Sequence, residues 1–169
     1  TGMRHSEALK TTWDRIDFDK GTVRVGQSKN ESSSNRIILL DKELLDLLKL
    51  HQKEQQSNVD TEDLKKKFNP MGYVFCNSAG NLQNRSNVWR DIWKPLRKSL
   101  GIDEKMTVHD LRHNCASYLL QDPETSIPVV SAWLGHKTPK TTMEIYAHIL
   151  PNDLELGRNA MSKLSINRG

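Results

Sequence analysis

Thr107-Val108-His109-Asp110-Leu111-Arg112-His113 opens the stretch, residues 107–148, whose reading decides the fold. Thr107 and Asp110 have the spacing of a helix capping box. Val108, Leu111, Cys115, Tyr118 and Leu119 then recur at helical period, which predicts a helix that buries that face. His109 and Arg112 fall one turn apart beside the apolar stripe, where a helix lines a cleft. A second helix is expected from Ser126-Ile127-Pro128 to Gly135, with proline in its first turn and a left-handed glycine cap that holds His136 at a fixed exit. Thr138-Pro139 opens a third helix in the same way, with Met143, Tyr146, Ala147 and Leu150 on one face. Tyr146 is therefore expected to face inward.

Taken singly, these features are ordinary. A His-x-x-Arg pair on a helix is usually a surface pair, and an inward tyrosine is usually core. The ordered set is the discriminating signal: His109 and Arg112, then Leu134-Gly135-His136, then Thr141-Thr142 and Tyr146-Ala147-His148. It resembles the C-terminal motif block of the tyrosine recombinases, the phage integrase family. That family carries a first arginine in a Thr-Gly-Leu/Met-Arg motif followed by a Ser-Glu helix, and the chain opens Thr1-Gly2-Met3-Arg4-His5-Ser6-Glu7-Ala8-Leu9. It also carries a lysine in a β-hairpin turn, for which Lys29 is well placed.

The resemblance covers nearly the whole chain and implies the DNA breaking-rejoining enzyme fold. This is an α+β, mainly helical catalytic domain with a small three-stranded antiparallel sheet near the N-terminus. It further implies that residues 1–169 are the catalytic domain without its first helices, the upstream core-binding domain that closes a clamp on DNA lying outside this chain. The interval from His136 to Tyr146 is one residue longer than in Xer-type members, as in many mobile-element integrases.

The remaining sequence is consistent with one domain. Its 169 residues, 36% hydrophobic, suffice for a single core, and 25 Lys+Arg against 21 Asp+Glu give a net charge of +4. That surplus permits a polyanionic partner without establishing one. Cys76 and Cys115 lack metal-type spacing and are expected to be reduced and buried, as in a cytoplasmic protein; no apolar run is long enough for a bilayer. Trp13 and Ile16 lead into a first strand that ends at the turn Asp19-Lys20-Gly21. Thr22 to Gly26 and Arg36 to Leu40 read as two more strands, joined by the serine-rich turn that holds Lys29. Asp41 is expected to cap a helix whose Leu44, Leu45, Leu47 and Leu48 face the sheet. Residues 52–69, with Lys65-Lys66-Lys67, read as an exposed connection, and Tyr73-Val74-Phe75 as a short buried extended piece. Val88, Trp89, Ile92, Trp93 and Leu96 predict an amphipathic helix with core tryptophans, kinked at Pro95 and closed by Gly101. Leu154, Leu156, Met161 and Leu164 suggest a last helix beyond Pro151.

Attack on a DNA phosphodiester needs a nucleophile, cations around the phosphoryl oxygens and an acid for the departing sugar oxygen. By resemblance Tyr146 is the nucleophile, forming a 3′-phosphotyrosine bond. Arg4 and Arg112 hold the non-bridging oxygens with paired planar donors, and His136 adds a third donor. Lys29 protonates the leaving 5′-oxygen, and His109 acts as acid or base near the phenol. Glu7 and His113 match family positions that support these groups. No metal, ATP or other cofactor is implied. The implied partners are double-stranded DNA, a homotetramer on paired sites and accessory DNA-bending proteins, with no membrane; the implied location is the bacterial cytoplasm at the nucleoid. The implied biology is integration and excision of a phage or mobile element, with Xer-like chromosome dimer resolution as the alternative.

Three rival readings use the same residues. His109 and His113 have the spacing of a His-Glu-x-x-His zinc site, but Asp110 stands where the glutamate belongs and no third ligand is evident. A type IB topoisomerase shares the nucleophile and arginine chemistry. A DNA-binding relative without catalysis has no reason to keep all six polar residues.

Overall fold

The computed structural model describes residues 1–26, 35–57, 68–122 and 124–147. Lys29, Lys65-Lys66-Lys67, His148, Leu150 and the segment after Pro151 lie outside the described residues. Among the described residues no helix is long and apolar enough to cross a membrane.

The chain begins with helix α1 (His5–Leu9) and a 3-10 turn (Trp13–Arg15), then strands β1 (Ile16–Asp17), β2 (Thr22–Arg24) and β3 (Ile37–Leu39). The strands form one antiparallel sheet in the order β1-β2-β3, with Ile16 opposite Val23 and Val23 opposite Ile38. These three share the sheet's inner face and build one core with Val25 and Val74, on which Met3, Trp13, Leu48 and Trp133 pack. Helix α2 (Lys42–Ser57) starts where the Asp41 carboxylate accepts the Leu44 N–H at 2.8 Å, a side-chain cap of the expected kind. Only part of the expected leucine face is used: Leu48 packs on the sheet, whereas Leu47 is exposed. The helix also runs further than residues 52–69 suggested. His51 Nε2 and Gln55 Nε2 both reach the Val74 carbonyl, so polar residues hold the inner face where apolar ones stop. Of the extended piece at 73–75 only Val74 is fully buried; Phe75 is exposed.

Helix α3, residues 85–99, is α-helical over Arg85–Asn87, π-helical over Val88–Trp93 and α-helical again over Lys94–Ser99. A run of widened turns therefore precedes Pro95 where a kink was expected. Proline offers no N–H, and the π turns take up the mismatch upstream. Trp93 is buried, but Trp89, Ile92 and Leu96 are exposed, so the tryptophans are not all core. Trp93 Nε1 and Arg97 Nη1 both donate to the Met106 carbonyl, fixing the backbone that leads into Thr107.

Three helices complete the described chain: α4 (Asp110–Gln121), α5 (Ile127–Leu134) and α6 (Pro139–Tyr146). Their inner faces, Ala116, Leu120, Val130, Leu134 and Tyr146, form a second core, and Trp133 packs against both cores. Two faces differ from the periodicity. On α4 the buried positions are Arg112, Ala116 and Leu120; Leu111 and Tyr118 are exposed and Cys115 is half-buried. On α6 they are Thr142 and Tyr146, while Met143 and Ala147 point outward. In both cases a polar side chain with tertiary partners occupies the inner face, and partnered polar groups are invisible to an apolar pattern.

Gly2 lies at the junction of these parts. Its φ is +65°, and a Cβ there would meet Leu134 Cδ2 at 2.9 Å and Cys115 Sγ at 3.1 Å. Gly2→Ala is expected to lower stability by about 1–2 kcal/mol, the left-handed strain alone accounting for most of it. Urea unfolding measures this, and an unchanged midpoint would contradict it.

Candidate active site

Arg4 sits at the start of α1, where the Glu7 carboxylate accepts its backbone N–H at 2.8 Å and its Nη1 at 2.9 Å. Nη2 of Arg4 donates to the Gly135 carbonyl at 3.1 Å, tying α1 to the end of α5. Glu7 is 8% exposed and accepts two further bonds from Arg36, at 3.2 and 2.8 Å. Burial alone would raise its pKa, but the hydrogen bonds from Arg36 and Arg4 outweigh it and hold the carboxyl below its ordinary range. Arg36 Nε also donates to the Trp133 carbonyl at 2.9 Å.

Arg112 is more deeply placed, at 4% exposure. Its Nη1 donates to the Gly2 carbonyl at 2.6 Å, which joins the opening motif of the chain to α4 across 110 residues. Its Nη2 is buried and has no hydrogen-bond partner among the described residues. Burial and then the charges of Arg4 and Arg36 push Arg112 down to about 10, so it remains a cation at neutral pH. Among the described residues, Glu7 is thus the buried carboxylate bound by Arg4 and Arg36, and its charge also reaches Arg112.

His136 leaves α5 through a Schellman closure: Gly135 N–H bonds to the Ala132 carbonyl, and His136 N–H to the Ser131 carbonyl. Its Nδ1 is 2.8 Å from the hydroxyl of the fully buried Thr142 on α6. Desolvation, followed by the charges of Arg112, Arg4 and Arg36, lowers its pKa to about 4. If Thr142 donates to Nδ1, the proton rides on Nε2 and a neutral imidazole still offers one N–H donor.

Tyr146, at the end of α6, is 4% exposed, and its hydroxyl lies 2.8 Å from His113 Nδ1. Burial raises the phenol pKa, with the Arg112 charge opposing. The imidazole in contact with the phenol is that of His113, one turn along α4 from His109. His109 is largely exposed, with its ring edge-on to His113 at 4.9 Å between centroids; partial desolvation of the ring, then the charges of His113 and Arg112, lower its pKa. Only half of the expected Thr107–Asp110 box forms: Asp110 Oδ2 accepts the Thr107 N–H and hydroxyl at 2.6 and 2.8 Å, but the Asp110 N–H goes to the Thr107 carbonyl instead of its hydroxyl, and the helix begins only at Asp110. Beside Arg4 and His109 opens a cleft of about 710 Å³, also lined by His5, Arg85, Trp89 and Thr107.

Arg4 with Glu7, Arg112 with the Gly2 carbonyl, His136 with Thr142, and His109 with His113 and Tyr146 are four sets of contacts close enough to feel one another's charge, and the position of Lys29 lies outside the described residues. Arg36 was missed. Its only mark in the sequence is a cation heading the apolar run Ile37–Leu40, because its partners lie 29 and 97 residues away.

The sequence profile of the phage integrase family matches residues 1–153. The chain is 30% identical over 149 residues to tyrosine recombinase XerD of Listeria innocua, covering 88% of this chain and 46% of that one. It is 29% identical over 180 residues to a XerC-like tyrosine recombinase of Caldanaerobacter subterraneus, covering 89% and 44%. The chain thus spans less than half the length of these relatives. Its fold is similar to that of the Tn1549 transposon integrase solved with circular intermediate DNA, with a TM-score of 0.71 at 16% identity, over 97% of this chain and 56% of that one.

The low pKa of His136 has a defined sign. Above pH 6.5 the imidazole is neutral whether folded or unfolded and contributes nothing. As pH falls towards 4, the unfolded chain takes up a proton that the folded His136 refuses, so stability is lost across that window. Glu7 extends the loss to lower pH, its contribution being present above its unfolded pKa and lost as pH falls through the lower folded value. In an NMR titration the His136 ring is expected to titrate near 4. A midpoint at 6 or above, close to the free imidazole, would contradict the burial and cation field assigned to it.

Proposed function

The chain belongs to the phage integrase family, and from that membership we propose that it is the catalytic part of a site-specific DNA recombinase that cuts and rejoins DNA through a 3′-phosphotyrosine at Tyr146. The observation that carries the reading is the unpartnered Nη2 of Arg112. A buried donor left unsatisfied costs about 1–3 kcal/mol, and a group that is retained despite this cost needs an explanation. Here the donor belongs to a guanidinium on which the charges of Arg4 and Arg36 bear unfavourably and, among the described residues, that of the Glu7 carboxylate favourably, a place suited to an anion. A phosphoryl group with two non-bridging oxygens satisfies the donor and offsets the surplus charge.

In this mechanism the Tyr146 oxygen attacks phosphorus and the bond from phosphorus to the 5′-oxygen breaks. The phenolic proton passes to His113 Nδ1, already at 2.8 Å, and His109 lies one ring further out as a relay. Arg4, Arg112 and His136 hold the non-bridging oxygens as charge develops, and Lys29 gives a proton to the departing oxygen. The new ester is close in energy to the old one. A 5′-hydroxyl from another strand therefore reverses the step and rejoins DNA without ATP or metal.

Integration or excision of a mobile element is the biology favoured by the longer His136–Tyr146 interval. Xer-like dimer resolution is the second reading, favoured by the relatives at 29–30% identity. Cleavage of element-end junctions rather than a chromosomal dimer-resolution site distinguishes the two.

With a nicked substrate whose 5′ fragment diffuses away, the full-length protein is expected to form a denaturant-resistant protein–DNA band without added metal. Tyr146→Phe keeps the ring among Ala116, Leu120, Val130 and Leu134 and removes only the hydroxyl, so fold and DNA affinity survive while the band disappears. A persisting band, or one that needs a divalent ion, would sink the mechanism. In the same assay Arg112→Lys is expected to be nearly as slow as Arg112→Ala, because a point charge cannot serve both the Gly2 carbonyl and a phosphoryl oxygen in one plane. Near-normal rates for the lysine variant would make Arg112 a structural residue.

A further inference from the structure

Arg36 follows Asn35, whose φ is +60°, and immediately precedes β3. Its carbonyl accepts the Val25 N–H at 2.9 Å, so its backbone is locked into the sheet register. Its side chain leaves the sheet and grips two other elements at once. Nη1 and Nη2 donate to the two oxygens of Glu7 on α1, and Nε donates to the Trp133 carbonyl in the last turn of α5. The side chain is only 8% exposed.

The same two anchors carry the residues assigned to the phosphate. Arg4 Nη1 bonds to Glu7 Oε1, and Arg4 Nη2 bonds to the carbonyl of Gly135, two residues beyond Trp133. His136 is the next residue. Sheet, α1 and α5 are thereby held together by one planar fork whose donors each have a separate acceptor. A lysine ammonium has no such fixed geometry. Stability alone does not account for a buried ion pair at this place, since well-packed apolar replacements of such pairs are often as stable or more so.

We propose that Arg36 is a positioning residue for DNA cleavage: by gripping Glu7 and the Trp133 carbonyl together, it fixes Arg4 and His136 relative to one another around the scissile phosphate. The proposal rests on the recombinase reading above and adds to it a residue whose side chain bonds to Glu7 and the Trp133 carbonyl and acts through Arg4 and His136.

The test is single-turnover cleavage of a nicked substrate by the full-length protein, with either a normal scissile phosphodiester or a methylphosphonate at that position. The methylphosphonate carries no formal negative charge, so displaced guanidiniums matter less to it. Arg36→Ala and Arg36→Lys are expected to bind DNA within about threefold of the parent but to cleave the phosphodiester about 100-fold more slowly, as misplaced catalytic groups do. On the methylphosphonate the deficit of Arg36→Ala is expected to shrink to within about tenfold, in parallel with that of Arg4→Ala. Arg36→Lys carries the same comparison if the alanine variant does not fold. A deficit for the Arg36 variants that is equal on both substrates, or a loss of DNA affinity in step with a lowered Tm, overturns the positioning role. An Arg4→Ala deficit that the methylphosphonate leaves unrelieved overturns the phosphate reading itself.

Discussion

Glu7 is the carboxylate on which the site is built. At 8% exposure it would be an expensive charge to bury alone, yet it accepts bonds from the Arg4 backbone, the Arg4 side chain and both terminal nitrogens of Arg36. Because Arg36 also holds Trp133 and Arg4 also holds Gly135, this one group registers α1, the sheet and the end of α5 against each other. Breaking a buried pair of this kind typically costs about 3–5 kcal/mol, since the remaining charges are left without partners.

The same arrangement leaves a surplus of positive charge. Arg112 is buried, its Nη1 on the Gly2 carbonyl and its Nη2 unpaired among the described residues. Burial, and after it the cations, keep His136 neutral at neutral pH, so the imidazole does not add to the positive charge around it. Protein groups have fixed the positions of these donors before any ligand arrives, and electrostatic stabilisation is most effective when reorganisation has already taken place. The phenol belongs to the second core, where Ala116, Leu120, Val130 and Leu134 surround its ring. Packing of α4, α5 and α6 therefore sets where its oxygen lies relative to the arginines.

Much of this was legible wherever a local rule governs. Pro128 and Gly135 bounded α5, Thr138-Pro139 opened α6, Asp41 capped α2, and the Asp19-Lys20-Gly21 turn separated β1 from β2. What failed were inferences from apolar period alone. Arg112 and Thr142 occupy inner faces because they have polar partners, the Gly2 carbonyl 110 residues away and the His136 ring six residues away, and so Leu111, Tyr118 and Met143 were assigned to the wrong side. The π turns of Val88–Trp93 are a backbone hydrogen-bond pattern that side-chain spacing does not encode. His109 and His113 share one helix face, and only the tertiary position of α6 decides that the phenol meets His113. Arg36 was beyond reach for the same reason, since its meaning resides in two contacts that no local window contains.

The open donor of Arg112 is the point at which structure and chemistry meet. The most direct measurement is a crystal structure of the full-length Tyr146→Phe protein on its own uncleaved DNA substrate, read at Nη2 of Arg112. A non-bridging oxygen of the scissile phosphate within about 3 Å of that nitrogen, with the Gly2 bond to Nη1 retained, is the expected result. A phosphate held elsewhere, with Nη2 still buried and unpaired, would contradict the assignment of this cluster as the place where DNA is cut.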